Sequence, residues 1–200
     1  MAESFVAYTP GSGGKLHSAT RTIGANTVDE EIMVLGEPYL PVYTVTAPGV
    51  ASTTANSHLI EVMAGSSANL RIRKIILTQF AGGAVSAMEL QILRLTTAGT
   101  GGTPITPNAL RGADPAAGAT AMTLPSAKGT EGVVLWQEAI WLGALATPSP
   151  TNNLRWFQDL QSQPIVIATG TSNGFAIKNT NAVATSSFDI TIQFVETAWL

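Results

Sequence analysis

The pattern closest to catalytic chemistry is Gly170-Thr171-Ser172-Asn173-Gly174, which matches the G-x-S-x-G turn that lifts a nucleophilic serine to the end of a sheet. That turn needs a strand before it and a helix after it. Pro164–Ala168 suits a strand, but Phe175-Ala176-Ile177-Lys178-Asn179 reads as a second strand. The reading is therefore a hairpin loop between two strands, in which Gly and Asn supply positive φ. A serine nucleophile also needs a base, and the chain has two histidines, His17 and His58. The first lies in a Gly-rich N-terminal stretch and the second opens an apolar strand, so each reads as a surface or structural residue. Two isolated histidines and no cysteine fall short of a zinc ligand set. Gly11-Ser12-Gly13-Gly14-Lys15 looks like a phosphate loop but lacks the spacing, and Leu16 stands where Ser or Thr is required. Asp29-Glu30-Glu31 is the one acidic cluster. On a strand it places Asp29 and Glu31 on one face, as a surface cation site or as a solvated or interface-facing group. The thirteen acids show no paired arrangement of the kind a glycosidase uses. The chain thus reads as no enzyme, with no cofactor and no metal.

A second group of residues suits contact with other proteins. Arg71, Arg73 and Arg94 fall on the two strands of one expected hairpin, as a positive outer face or as partners for an acidic neighbouring subunit. Trp136 and Trp141 lie in a strand that reads as core, so at least one of them is expected inside. Trp156, next to Arg155 near a turn, and Trp199, near the C-terminus, are the better surface candidates, for sugar stacking or as interface anchors. Tyr8 opens the turn-rich stretch Tyr8–Gly14 and joins Arg71, Arg73, Arg94, Trp156 and Trp199 as an interface candidate.

The elements that must position these residues are strands. Phe188, Ile190, Ile192 and Phe194 alternate with Asp189, Thr191 and Gln193, a period of two without exception. His58–Ala64 is a strand ended by Gly65. Asn69–Phe80 is the longest: Leu70 and Ile72 share one face, then Lys74 interrupts and Ile75 and Leu77 take over. A one-residue slip reverses facing, so a bulge is expected near Arg73–Ile75. Ala87–Thr96 reads as its hairpin partner, with a similar switch at Leu93. Val133–Trp141 is apolar on both faces, which suits a central strand. Residues 98–131 form a long irregular loop, in which Asp114-Pro115 could open one helical turn. Residues 1–56 read as an extended N-terminal arm: Lys15–Ile23 alternates loosely with polar residues dominating, Val28–Val34 suits a short strand, and Val42–Thr46, among prolines, fits an edge strand. Residues 57–200 read as the β-domain. The fold class expected is all-β, an antiparallel, jelly-roll-like β-sandwich.

Composition narrows the class of function. Two hundred residues suffice to bury about 70% of the unfolded surface without a disulfide. Net charge is −3 and the ten Lys and Arg are scattered, so no nucleic-acid footprint is visible. The longest apolar run, Ala139–Ala146, is far too short to span a membrane. The start, Met1-Ala2-Glu3-Ser4, lacks the features of a signal peptide, so synthesis in the cytoplasm is expected. Charged residues make up 12% of the chain, against about 25% in ordinary soluble domains. Ser, Thr, Gly, Ala, Asn and Gln cover it instead, as in a Thr/Ser-rich secreted β-protein or in a protein whose surface meets other subunits.

From Ser57 onward the layout resembles small virion structural proteins of tailed bacteriophages. The stretches that carry the resemblance are Leu70–Gln79, Glu89–Pro107, the small-residue loop Asp114–Pro125, Pro164–Asn179 and Phe188–Thr197. It implies a jelly-roll domain present in many copies on a virion, as a capsid decoration or cement protein that trimerises and bridges major capsid subunits. Its partners would be the major capsid protein or other virion proteins, with no nucleic acid and no membrane. An N-terminal arm would suit bridging, by adding a strand to a neighbour's sheet. The alternative within the same class is a tail, baseplate or head-fibre component, including a carbohydrate-binding receptor module centred on Trp156.

Overall fold

The structure, a computed structural model, describes residues 18–23, 26–31, 40–82, 85–143, 153–158, 164–183 and 186–197. It divides into two units, residues 1–39 and 40–200. In the first, β1 (Ser18–Ile23) and β2 (Asn26–Glu31) pair antiparallel, with Ser18 opposite Glu31 and Ile23 opposite Asn26. Tyr8, His17 and Trp199 lie outside the described residues.

The second unit is an antiparallel β-sandwich. In chain order its strands are β3 (Val42–Ala51), β4 (His58–Met63), β5 (Asn69–Ala81), β6 (Ser86–Leu95), β7 (Thr103–Ile105), β8 (Asn108–Ala109) and β9 (Thr120–Thr123). Then follow β10 (Glu131–Leu142), β11 (Asn153–Phe157), β12 (Val166–Ile167), β13 (Gly174–Asn179) and β14 (Ser187–Thr197). The first sheet has the order β11-β5-β14-β3-β8, with β12 also on β5, and the second has the order β10-β6-β13-β4-β9-β7. The long strands are therefore arranged 11-5-14-3 over 10-6-13-4, the interlocked Greek keys of a jelly roll. The short strands β7, β8 and β9 are built from the 98–131 connection and extend both sheets on one side.

Alternation drives this fold. Phe188, Ile190, Ile192 and Phe194 of β14 are fully buried and meet Phe175 and Ile177 of β13 and Ile60 and Val62 of β4 in one core. The Tyr43 and Phe194 rings stack with centroids 5.7 Å apart. The bulge expected in β5 is present: Gln193 pairs with Lys74 and Phe194 with Ile72, so Arg73 is the extra residue. It lets Arg73 and Lys74 follow one another while Ile72 and Ile75 both stay buried.

Four expectations need correction. First, β5 and β6 are not a hairpin. β5 pairs with β14, β11 and β12, whereas β6 pairs with β10 and β13. The chain crosses between sheets after Ala81, so Arg94 lies in the other sheet from Arg71 and Arg73. The apparent phase switch in β6 has a different cause: Leu93 and Leu95 face outward and join Met63 and Ala176 in a second, smaller core. Second, β10 is an edge strand. Third, the sandwich begins at Leu40, because β3 contributes Tyr43, Val45, Ala47 and Val50 to the core. Fourth, no helical turn follows Asp114. The chain there is irregular, and the Pro115 carbonyl accepts a hydrogen bond from the Tyr43 hydroxyl at 3.2 Å.

Candidate functional site

The outer face of the second sheet carries a buried polar network, and it is divided in two. Over one half, the loops on either side of the Thr100–Ala127 bridge fold back across β4 and β13. Glu61 lies beneath them with no exposed surface. Its Oε2 accepts the Gly99 N–H at 2.7 Å and its Oε1 accepts the Gly129 N–H at 2.9 Å. Glycine at both positions permits this approach. A Cβ on Gly99 would lie 2.8 Å from the Glu61 carboxylate oxygens, and one on Gly129 would collide with the Thr97 carbonyl oxygen.

His58, equally buried, links Glu61 to the rim. Its Nδ1 is 2.7 Å from Glu61 Oε1 and its Nε2 is 3.2 Å from Glu131 Oε1. Lys128 and Lys178 each bond Glu131 at 2.8 Å. Burial alone would raise the Glu61 carboxyl, but hydrogen bonds from His58 and from the Gly129 and Gly99 amides outweigh it and hold the group below its ordinary value. At Glu131, burial is likewise outweighed, here by the two lysines, and the carboxyl is lowered to about 2. The network is a clasp that pins the long connection onto the sheet. Both nitrogens of His58 are engaged with carboxylates, and Ser172 is not among their partners.

None of the described residues folds back over the other half of the same face. There Ala87 pairs with Trp141 and Glu89 with Ala139. Trp141 is 68% exposed, the largest side chain so placed among the described residues. Around the flank formed by β10 and β11 lie five more exposed apolar side chains: Phe80, Val85, Val133, Val134 and Phe157. Edge strands with apolar side chains invite pairing with other chains. This edge is partly guarded. Its register shifts between Glu131 and Trp136, and Glu138 shares the parity of the buried Ile140 and Leu142, so a charge points toward the mouth of the sandwich.

Of the sequence candidates, Arg71 and Arg73 stand on the outer face of the first sheet, and Arg73 Nη1 donates to Gln158 Oε1 at 3.2 Å. Arg94 is on β6. Trp156 is half-buried and packs on the core, because it shares the parity of the buried Leu154. The exposed aromatic of β11 is its neighbour Phe157. Trp136 packs partly against the core, as expected of one of the pair, and Trp141 does not. Ser172 sits exposed in a turn where the Asn173 N–H donates to the Gly170 carbonyl at 2.8 Å and Gly170 has φ +120°. A strand, β13, follows that turn, and β12 before it pairs with β5 in the other sheet, so the turn is a crossover between sheets and not a hairpin. Glu61 and its amide donors escaped the sequence reading. An acid in an otherwise apolar strand, His58–Met63, was the signal, read with the glycines of the 98–131 loop. No protein-family model, curated protein or solved structure matches this chain.

Proposed function

We propose that the chain is a structural virion protein that decorates a phage capsid and stabilises it by bridging neighbouring capsid subunits. The observation that carries this reading is the bare half-face with Trp141 at its centre, on a chain with only 12% charged residues. A large exposed apolar patch marks a protein contact, and sparse charge is poor protection for a solitary molecule.

The test is to mix the purified chain with assembled, undecorated phage shells. The expected result is saturable co-sedimentation and a higher temperature of shell disruption. Absence of both would end the proposal. Removing residues 1–39 should leave the sandwich folded by circular dichroism while weakening shell binding; equal binding would deny the N-terminal unit a bridging role.

A further inference from the structure

The connection from β3 to β4 and the returning end of the 98–131 loop enclose a pocket of about 280 Å³. Ala51, Thr53, Thr54 and Ser57 form one wall, and Leu124, Pro125 and Ser126 form the other. Both walls are fixed from behind. Asn179, fully buried, donates to the carbonyls of Ser52 at 3.3 Å and Thr54 at 2.8 Å and accepts the Ser57 hydroxyl at 2.7 Å. Opposite, the Leu124 N–H donates to the Leu59 carbonyl at 3.3 Å, and the Ser126 hydroxyl donates to the Thr100 carbonyl at 3.3 Å. The two non-glycine residues with left-handed backbone among the described residues both stand here: Leu124, φ +47°, in the wall, and Asn56, φ +54°, beside Ser57. Asparagine adopts that conformation readily. Leucine rarely does, and the following Pro125 favours an extended backbone instead. Strain of this kind gathers where a ligand is held. Core burial does not account for it, because Leu124 is 39% exposed.

The lining selects the chemistry of the ligand. The hydroxyls of Thr53 and Thr54 have no partner among the described residues, so each offers a donor and an acceptor. The hydroxyls of Ser57 and Ser126 donate to the protein and keep lone pairs for a ligand. Leu124, Pro125 and Ala51 supply the apolar surface, and no charged side chain lines the pocket. An ion placed there would lose water without gaining an opposite charge, and a hydrocarbon would strip water from four hydroxyls. A sugar ring satisfies both surfaces, with hydroxyls at its rim and C–H groups on its faces. We propose that this pocket binds one neutral pyranose ring, with Thr53 and Thr54 bonding its hydroxyls and Leu124 packing against its C–H face. The volume lies just below the about 300–1,000 Å³ of pockets for drug-sized ligands, which suits a single ring. The pocket shares no residue with the Trp141 surface, so this proposal and shell binding stand or fall separately.

The experiment titrates the ¹⁵N-labelled full chain with the methyl pyranosides of glucose, mannose and galactose, with N-acetylglucosamine, and with sodium glucuronate as the charged analogue. At least one neutral sugar should shift the amides of Thr53, Thr54, Ser57, Leu124 and Ser126 saturably, with a Kd of about 1–10 mM, and glucuronate should bind more weakly. Thr53→Val with Thr54→Val keeps the shape of the wall and removes its free hydroxyls, and should weaken binding about three- to tenfold. Leu124→Asn keeps a residue that tolerates the left-handed backbone and removes the apolar contact, and should also weaken binding. The proposal is overturned if no neutral sugar shifts these amides at about 50 mM, if the shifts fall elsewhere on the sandwich, if glucuronate binds more tightly, or if the double variant binds as the parent does. Should the double variant fail to fold, Thr53→Val alone replaces it, with the same weakening required.

Discussion

The two halves of one sheet face have been treated in opposite ways. Where β6 ends, Leu93 and Leu95 face outward yet are buried, because the chain's own loops cover them and Glu61 holds the loops down. Where β6 begins, Ala87 faces outward with Trp141 beside it, and nothing in the described chain covers them. The same strands thus carry a closed half and an open half. The closed half shows that this sheet can be covered from within. The proposed shell contact depends on the open half, and each way of disturbing one half should leave the other largely unaffected.

The largest effect is expected at the clasp. Glu61→Leu strands the Gly99 and Gly129 amides and the ring of His58 without a buried acceptor. A loss of about 3–5 kcal/mol is expected for breaking a buried charged network, read by urea denaturation. A smaller loss, about 1–3 kcal/mol, is expected for Gly129→Ala, whose methyl must push the Thr97 carbonyl aside. Stability equal to the parent in either variant would show that the loops are not held as described.

The carboxylates of the clasp also set a pH dependence. Glu131 is lowered to about 2, and Glu61 is lowered as well. An unfolded glutamate titrates at about 4.3. A depressed folded value gives stabilisation that is complete above that point and is lost as pH falls toward the folded value. The melting temperature should therefore drop between about pH 4.3 and 2, and Glu131→Gln should flatten that drop while leaving the flank unchanged. The smallest effect is reserved for the open half. Trp141→Ser should alter stability by no more than about 0.5 kcal/mol while abolishing co-sedimentation with phage shells. A large loss of stability there would mean that Trp141 belongs to the core after all.

Much of the sandwich was legible from residue order, because a half-buried strand writes its facing as period two. β14 and the bulge at Arg73 both follow from that rule. Three things were not legible. A turn between two strands has the same composition whether it returns in one sheet or crosses to the other, so residue order alone pairs β5 with β6. An apolar strand with both faces covered by protein has the same residue pattern as an edge strand with exposed apolar side chains, so residue order alone places β10 centrally. The clasp depends on main-chain amides of Gly99 and Gly129 reaching Glu61 across 38 and 68 residues, and no local pattern encodes such a meeting.

The most direct test is of the open half itself. Hydroxyl-radical footprinting with mass spectrometry can follow oxidation of Trp141 in the dilute chain and in the assembled particle, with the half-buried Trp156 as internal reference. Fast oxidation of Trp141 when dilute and strong protection on assembly, with Trp156 little changed, is the predicted result. Equal oxidation of Trp141 in both states would contradict the account.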